Sequence, residues 1–345
     1  KCEAAAHVGV WRSFQSPGSF GRTVVVGSCS RAAGLMHNTD RSELLLRPLQ
    51  TGDEVAVVAA SSALDNTDNL LRGISILDSW GLRIRPDVIS QRRWGYLAGR
   101  DDERLSDFQS VPNASLLACA RGGWGAARLL EHPFVWQPGW LLGFSDVTAL
   151  LCARMAAGVS GGVHGPLITT LADEPEWSQR RLHDVLFGHP LLDLQGLPWR
   201  GGVAVGPLLT LNLTVASHLI GTPFLPDLSG VVLVIEDIGE APYRIDRMLT
   251  QWRLAGLLQS LAGLGFGRFL GCDHDSDSGG FSLEEVLRER TADLGIPVVA
   301  NLLVGHGPGG NAALPVGAIA TLDGDQGVLS VGANPGVQPA PLQPQ

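Results

Sequence analysis

From Pro48 onward the chain alternates short apolar runs with stretches whose apolar residues recur every three or four positions. GDEVAVVAASS (52–62) is an apolar run that ends in small residues, the pattern of a strand buried on both faces. The next stretch sets Leu70, Ile74 and Leu77 on one helical face, and Gly81 stands where a C-terminal cap is expected. LRIRPDVIS (82–90) predicts a strand, WGYLAG a loop, and the residues from Asp101 to about Ser110 a helix. SLLACA (115–120) predicts the next strand, with RGGWGAARLL turning it into a helix. GWLLGF (139–144) and SDVTALLCARMAA (145–157) repeat the unit. Strands and helices alternating through short connections predict an α/β fold with a mainly parallel sheet.

Beyond Pro166 the rhythm loosens. PEWSQRRLHDVLFG predicts a polar helix, and the Pro/Gly-rich LQGLPWRGG that follows marks an inter-domain connection. After it come a helix near Asn212–Ile220, the apolar strand VVLVIE (231–236), and a helix from Tyr243 with Ile245, Met248, Leu249 and Trp252 on one face. A strand near Gly267–Gly271, a helix over 282–293, the strand PVVANLLVG and short strands over 317–322 and 327–331 complete the pattern. The expected organisation is a first α/β domain over 45–175, a connection over 176–205 and a second, smaller, β-rich α/β domain over 206–334. Residues 1–44 lack the rhythm and hold no Asp or Glu between Glu3 and Asp40; they read as a disordered or non-native extension, with a transit peptide as the alternative. The Pro/Gln-rich 335–345 reads as a disordered tail.

Composition removes several function classes. The chain has 345 residues, and its 34 acidic against 25 basic side chains give a formal charge of −9, which argues against a nucleic-acid partner. No apolar run approaches the ~20 residues of a membrane span. Lys1 is the sole lysine, which sets aside a pyridoxal Schiff base, a P-loop lysine and a Ser–Lys dyad. The five cysteines show no metal-ligand spacing; Cys119 and Cys152 fall in apolar stretches as small hydrophobes, and the scattered set suggests a reducing compartment.

Ligand sites in open parallel sheets form beyond the carboxyl ends of the strands. Two such points are Arg121-Gly122-Gly123-Trp124-Gly125 and Gly143-Phe144-Ser145-Asp146. Ser145 on a strand-to-helix turn is similar to a nucleophile elbow, although Ser and Asp also make ordinary helix caps. The Gly-rich turn could accept an oxyanion on its N–H groups or be a bare βα turn; it does not match G-x-G-x-x-G. Glu236 ends an apolar strand and could orient a histidine, with Asp237 and Glu240 as competitors. His306, before the loop GPGGN, is a candidate base, and His164 is its rival. A triad Ser145, Glu236, His306 would span both domains and place the site at their interface.

These segments together resemble the serine LD-carboxypeptidases, the murein tetrapeptide carboxypeptidases and microcin C immunity peptidases. The matching stretches are YLAGRDDERLSDF, ARGGWGAARLL, GFSDVTALL, HGPL, NLTVASHLIGTPF, VLVIEDIGEAPYRIDRMLTQW and GHGPGGNAALPVGAIATLD, in order over about residues 48–330. The resemblance implies Ser145 as nucleophile, His306 as general base, Glu236 as its orienting acid, and an oxyanion hole from the backbone N–H groups of Gly123 and Asp146. It implies no metal and no cofactor, a cytoplasmic homodimer, and a muropeptide cut between the L-centre of a diamino acid and terminal D-alanine. Arg121 and Arg244 are the candidates for the substrate carboxylate. The alternatives are an immunity-type peptidase acting on aminoacyl-nucleotides, with Trp177 or Trp199 against the base, and a non-catalytic binding homologue. Two departures stand out. Many members read Gly-Gly-Asn where this chain has Thr210-Leu211-Asn212, and Trp124 replaces a frequent tyrosine.

Overall fold

The structure, a computed structural model, describes residues 46–85, 89–111, 114–273 and 280–332. The expected extension over 1–44 and tail over 335–345 lie outside these residues. The first half supplies β1 (Glu54–Val58), β2 (Arg83–Ile84), β3 (Leu116–Cys119), β4 (Trp140–Gly143) and β5 (Gly162–His164), all parallel, in the order β5-β4-β3-β1-β2. Strands β1, β3, β4 and β5 are largely or wholly buried, as continuous apolar runs in a parallel sheet require. The helices between them are α1 (Asp68–Ser79), α2 (Asp101–Gln109) and α3 (Thr148–Ala156). RGGWGAARLL differs from expectation: only Ala127–Glu131 coils, as a single 3₁₀ segment. Gly123 and Gly125 just before it have φ of +110° and +107°, outside helical geometry.

Two further helices, α4 (Ile168–Leu171) and α5 (Glu176–Phe187), complete the first layer, and Leu182, Val185 and Leu186 of α5 join its core. The chain then enters an eight-stranded sheet: β6 (Leu194–Gln195), β7 (Leu197–Arg200), β8 (Val203–Asn212), β9 (Val232–Ile238), β10 (Gly263–Leu270), β11 (Val298–Ala300), and, after β12 (Leu314–Pro315), β13 (Ile319–Asp323) and β14 (Val328–Val331). Its centre, β8-β9-β10-β11, is parallel; β7, β13, β14 and β6 pair antiparallel outside it. Helices α6 (Leu213–Ser217), α7 (Pro242–Leu254) and α8 (Leu283–Thr291) cover it. α7 buries Ile245, Leu249 and Trp252, three of the four positions expected on its apolar face.

Two features join the halves. Helix α3 packs against β8 and α6, and one buried cluster runs from Leu117, Leu141 and Leu150 to Leu209, Leu233 and Leu249. Strand β12 leaves the second half and pairs antiparallel with β5, Leu314 opposite His164 and Pro315 opposite Val163. Cys119 and Cys152 sit unpaired in the shared core, the small-hydrophobe role expected of them. Among the described residues no helix is long and apolar enough to cross a membrane.

Candidate active site

Strand β4 delivers Phe144 and Ser145 at the seam of the two halves. Ser145 has φ of +63°, a conformation that costs a residue with a Cβ roughly 1–2 kcal/mol. It leads directly into the 3₁₀ turn Ser145–Val147 and α3. Such strain, held by surrounding structure, is the signature of a sharp strand-to-helix elbow.

Beside it the turn after β3 passes so close that a Cβ on Gly122 would lie 3.1 Å from Ser145 Oγ. A Cβ on Gly123 would lie 2.2 Å from Ser62 Oγ, so only glycine fits there. The turn is held on every side. Trp124 N–H donates to Ser62 Oγ at 3.1 Å, and Ala126 N–H donates to the Asp146 carboxylate at 2.8 Å. The fully buried Arg104 donates to the carbonyl of Gly125 at 2.9 Å and to that of Ala60, which ties the ends of β1 and β3 together. Burial raises the Asp146 carboxyl above its ordinary value, against the hydrogen bonds it accepts. The backbone N–H groups of Gly123 and Asp146 have no acceptor among the described residues, which leaves them free to hold an oxyanion.

Across the seam, His306 Nε2 lies 3.1 Å from Ser145 Oγ, and its Nδ1 lies 2.6 Å from Glu236 Oε2. Glu236 is fully buried near the end of β9. Burial alone would raise its carboxyl, but the His306 hydrogen bond and charge outweigh that and hold it below the ordinary value. Its other oxygen accepts from Asn212 Nδ2 at 3.2 Å, because the β8–β9 register sets Asn212 opposite Glu236. Asp237, the expected competitor, instead accepts from Thr214 N and Oγ1 and from Asn212 Nδ2. Glu240 lies 3.4 Å from Arg244 Nη1. His164 is fully buried at the end of β5 with its ring 5.6 Å from Phe144, and burial pushes its pKa down to about 4. It touches neither Ser145 nor Glu236 by a hydrogen bond.

Ser145 and His306 open on a cleft of about 380 Å³ that is also lined by Arg121, Gly123, Leu167 and Thr169. Arg121 therefore stands in the cleft, paired at 2.7 Å with Asp65. Arg244 lies exposed on α7, outside that lining, against Tyr243 and Glu240. Trp177 donates its Nε1 to Gly309 O at 3.1 Å, and Trp199 stacks under Arg288, whose guanidinium carbon is 4.0 Å from the ring centre. Among the described residues one group has metal-ligand spacing, His183, Asp184 and His189 within 4.8 Å of one another; none of the three lines the cleft.

Sequence reasoning did not single out Ser62, Asn212 as a partner of Glu236, Arg104, or Asn311, whose Oδ1 accepts from Gly305 N at 2.8 Å. Asn212 had a signal: it stands at a strand-to-helix junction, and its side chain caps α6 by accepting from Val215 N at 3.0 Å. Ser62 and Arg104 act across tens of residues, where spacing carries no signal, and Asn311 acts within a loop whose shape no periodicity encodes.

The arrangement can carry out acyl transfer, with a hydroxyl, an imidazole and a buried carboxylate in one line of contact and, on the turns beside Ser145, two N–H groups without an acceptor among the described residues. Residues 55–165 match the model of the LD-carboxypeptidase N-terminal domain, and residues 205–322 that of the C-terminal domain. A Synechocystis sp. protein with a provisional carboxypeptidase name is 48% identical, covering 82% of this chain and 95% of its own. The murein tetrapeptide carboxypeptidase of Pseudomonas aeruginosa is 31% identical, covering 79% and 94%. Among solved structures, the muramoyltetrapeptide carboxypeptidase from Oxalobacter formigenes superposes with a TM-score of 0.73 at 27% identity, covering 82% of this chain and 99% of that one. The microcin C7 self-immunity protein MccF shares the fold at a TM-score of 0.75 and 20% identity, covering 86% and 100%. The chain belongs to the LD-carboxypeptidase family and is a serine-type carboxypeptidase.

Proposed function

We propose that this enzyme releases terminal D-alanine from murein tetrapeptides by cutting its bond to the L-centre of the diamino acid, a step of peptidoglycan recycling. The observation that carries the proposal is the continuous contact from Glu236 through His306 to Ser145 on the wall of a peptide-sized cleft. His306 Nε2 takes the hydroxyl proton as Ser145 Oγ attacks the carbonyl carbon. The oxyanion forms against the N–H groups of Gly123 and Asp146, a contribution of about 3–4 kcal/mol for each donor in comparable sites. His306, held by Glu236, returns the proton to the departing amine, and water then enters by the same route to release the acyl group from Ser145. Arg121 lines this cleft and would face the substrate carboxylate; Arg244, outside the lining, would act only on a longer substrate. All of this takes place in the cytoplasm, in a homodimer whose subunits each divide into a nucleophile-bearing domain and a domain bearing Glu236 and His306.

The test is D-alanine release from a diaminopimelate-containing tetrapeptide, followed by mass spectrometry, with Ser145→Ala alongside. Release by the wild type alone is expected. Release by both proteins would remove Ser145 from its role. Release by neither would remove the murein substrate and turn the assay to aminoacyl-nucleotides, or to binding without chemistry.

A further inference from the structure

The base candidate sits on a loop that has little reason to hold one shape. Residues 305–310 read Gly-His-Gly-Pro-Gly-Gly, and Gly305, Gly307, Gly309 and Gly310 all have positive φ, between +92° and +123°. Glycine loses more backbone freedom on ordering than any other residue, so this loop needs outside ties. Three come from single contacts: Gly305 N–H to Asn311 Oδ1 at 2.8 Å, His306 N–H to Glu236 Oε2 at 3.2 Å, and Trp177 Nε1 to Gly309 O at 3.1 Å. The remaining loop carbonyls with a side-chain donor converge on one group. The Arg268 guanidinium donates to Gly305 O and Gly310 O, both at 2.6 Å, and to Pro308 O.

Arg268 reaches that position because β10 is irregular beside Glu236. Phe266 pairs with Ile235 and Phe269 with Asp237, so Gly267 and Arg268 together stand opposite the single residue Glu236. This two-against-one count is a β-bulge, a device that re-aims a side chain. Gly267 is required in the bulge, since a Cβ there would meet Val304 O at 2.7 Å and Glu236 Cβ at 3.2 Å. The bulge thus aims the arginine at the histidine loop from the register position of the histidine's own carboxylate. On its other side the loop borders a second cavity of about 390 Å³, lined by Trp199, Asn301, Gly307 and Pro308 together with Arg268.

We propose that Arg268 is a positioning residue: through the carbonyls of Gly305, Pro308 and Gly310 it sets the His306 ring between Glu236 and Ser145. The proposal rests on Ser145 and His306 being nucleophile and base, as above, but not on the murein substrate. A planar guanidinium spans three acceptors that an ammonium, a point donor, does not span together. Loss of the clamp shifts the imidazole rather than any substrate contact, and misplacement by about 1 Å costs on the order of 10²-fold in rate.

The experiment measures phosphonylation of Ser145 by a fluorophosphonate, in which Oγ bonds to phosphorus, fluoride leaves and His306 takes the hydroxyl proton. Arg268→Ala should label about 10²-fold more slowly than wild type, with kcat for D-alanine release falling in step and KM within about threefold. Guanidinium ion, added far below denaturing concentrations, should restore at least a tenth of the lost rate to Arg268→Ala and do nothing for wild type. The far-downfield proton resonance of a His Nδ1–H bonded to carboxylate should weaken in Arg268→Ala and return with guanidinium; a purely structural role moves neither. Arg268→Lys should fall between, and it decides the matter if the alanine variant does not fold. Labelling within threefold of wild type by either folded variant, or a loss that guanidinium does not restore, overturns the proposal. If wild type labels normally but releases no D-alanine, the substrate falls and the positioning role is still judged by the labelling rates.

Discussion

Replacing Glu236 by glutamine keeps the volume of the side chain and exchanges one acceptor oxygen for a donor nitrogen. Glu236 Oε2 accepts two bonds from His306, at 2.6 and 3.2 Å, and Oε1 accepts one from Asn212 Nδ2 at 3.2 Å. Glutamine has a single oxygen for these three donors. If it faces His306, its NH₂ meets the Asn212 NH₂ head on. Asn212 cannot turn over to accept, because its Oδ1 caps α6 at Val215 N and its Nδ2 also serves Asp237. A buried donor left unpaired costs about 1–3 kcal/mol, so the variant should lose that much stability to urea. Neutralising the orienting acid of a serine triad lowers kcat by about 10⁴, or about 5 kcal/mol of transition-state stabilisation at 1.36 kcal/mol per decade. D-alanine release and the urea midpoint, measured on the same preparation, check both numbers. A kcat within tenfold of wild type would refute the assignment of Glu236 as orienting acid, whatever happened to stability. A kcat lost without any change in midpoint would refute the account of Asn212.

Two further outcomes follow from backbone and burial. Ser145→Gly should be inactive yet melt above the equally inactive Ser145→Ala, since only glycine takes φ of +63° without strain; equal melting temperatures would show that the elbow stores none. His164 is held neutral, with its pKa pushed down by burial to about 4 against roughly 6.5 when unfolded, so the unfolded chain takes up its proton first. Stability should therefore fall as pH drops from about 6.5 to 4, by on the order of 3 kcal/mol from this group. His164→Gln should flatten that window, and urea midpoints equally steep in both proteins would contradict it.

The strand–helix rhythm to residue 157 was legible because buried parallel strands read as apolar runs, and Ser145, Glu236 and His306 were legible because each lies at or beyond the end of such a run. β8 was not, although it is the longest strand described. Its sequence VAVGPLLTLN carries Gly206 and Pro207, the residues that mark connections. The structure accounts for both. A Cβ at position 206 would stand 2.1 Å from Gly230 O, and the parallel pairing with β9 begins only at Leu208, one residue past the proline. β5 and β12 escaped notice through shortness, at three and two residues. The candidate triad became specific only through the motifs of the family, since serine at a helix start and histidine in a glycine loop each have common structural uses.

The short pairing of β12 with β5 bears on how the enzyme can be made and divided. His306 lies between β11, in the second sheet, and β12, an edge strand of the first. The His306 loop is thus spliced between two sheets, and the ribosome must pass Pro315 before the first sheet has its last strand. A nascent chain or fragment that stops at the boundary between the two family domains leaves β5 an open edge, a ready template for wrong pairing. The two family domains mark evolutionary units of this chain, but its topology makes them one folding unit, completed only when the loop that carries His306 has been strapped down.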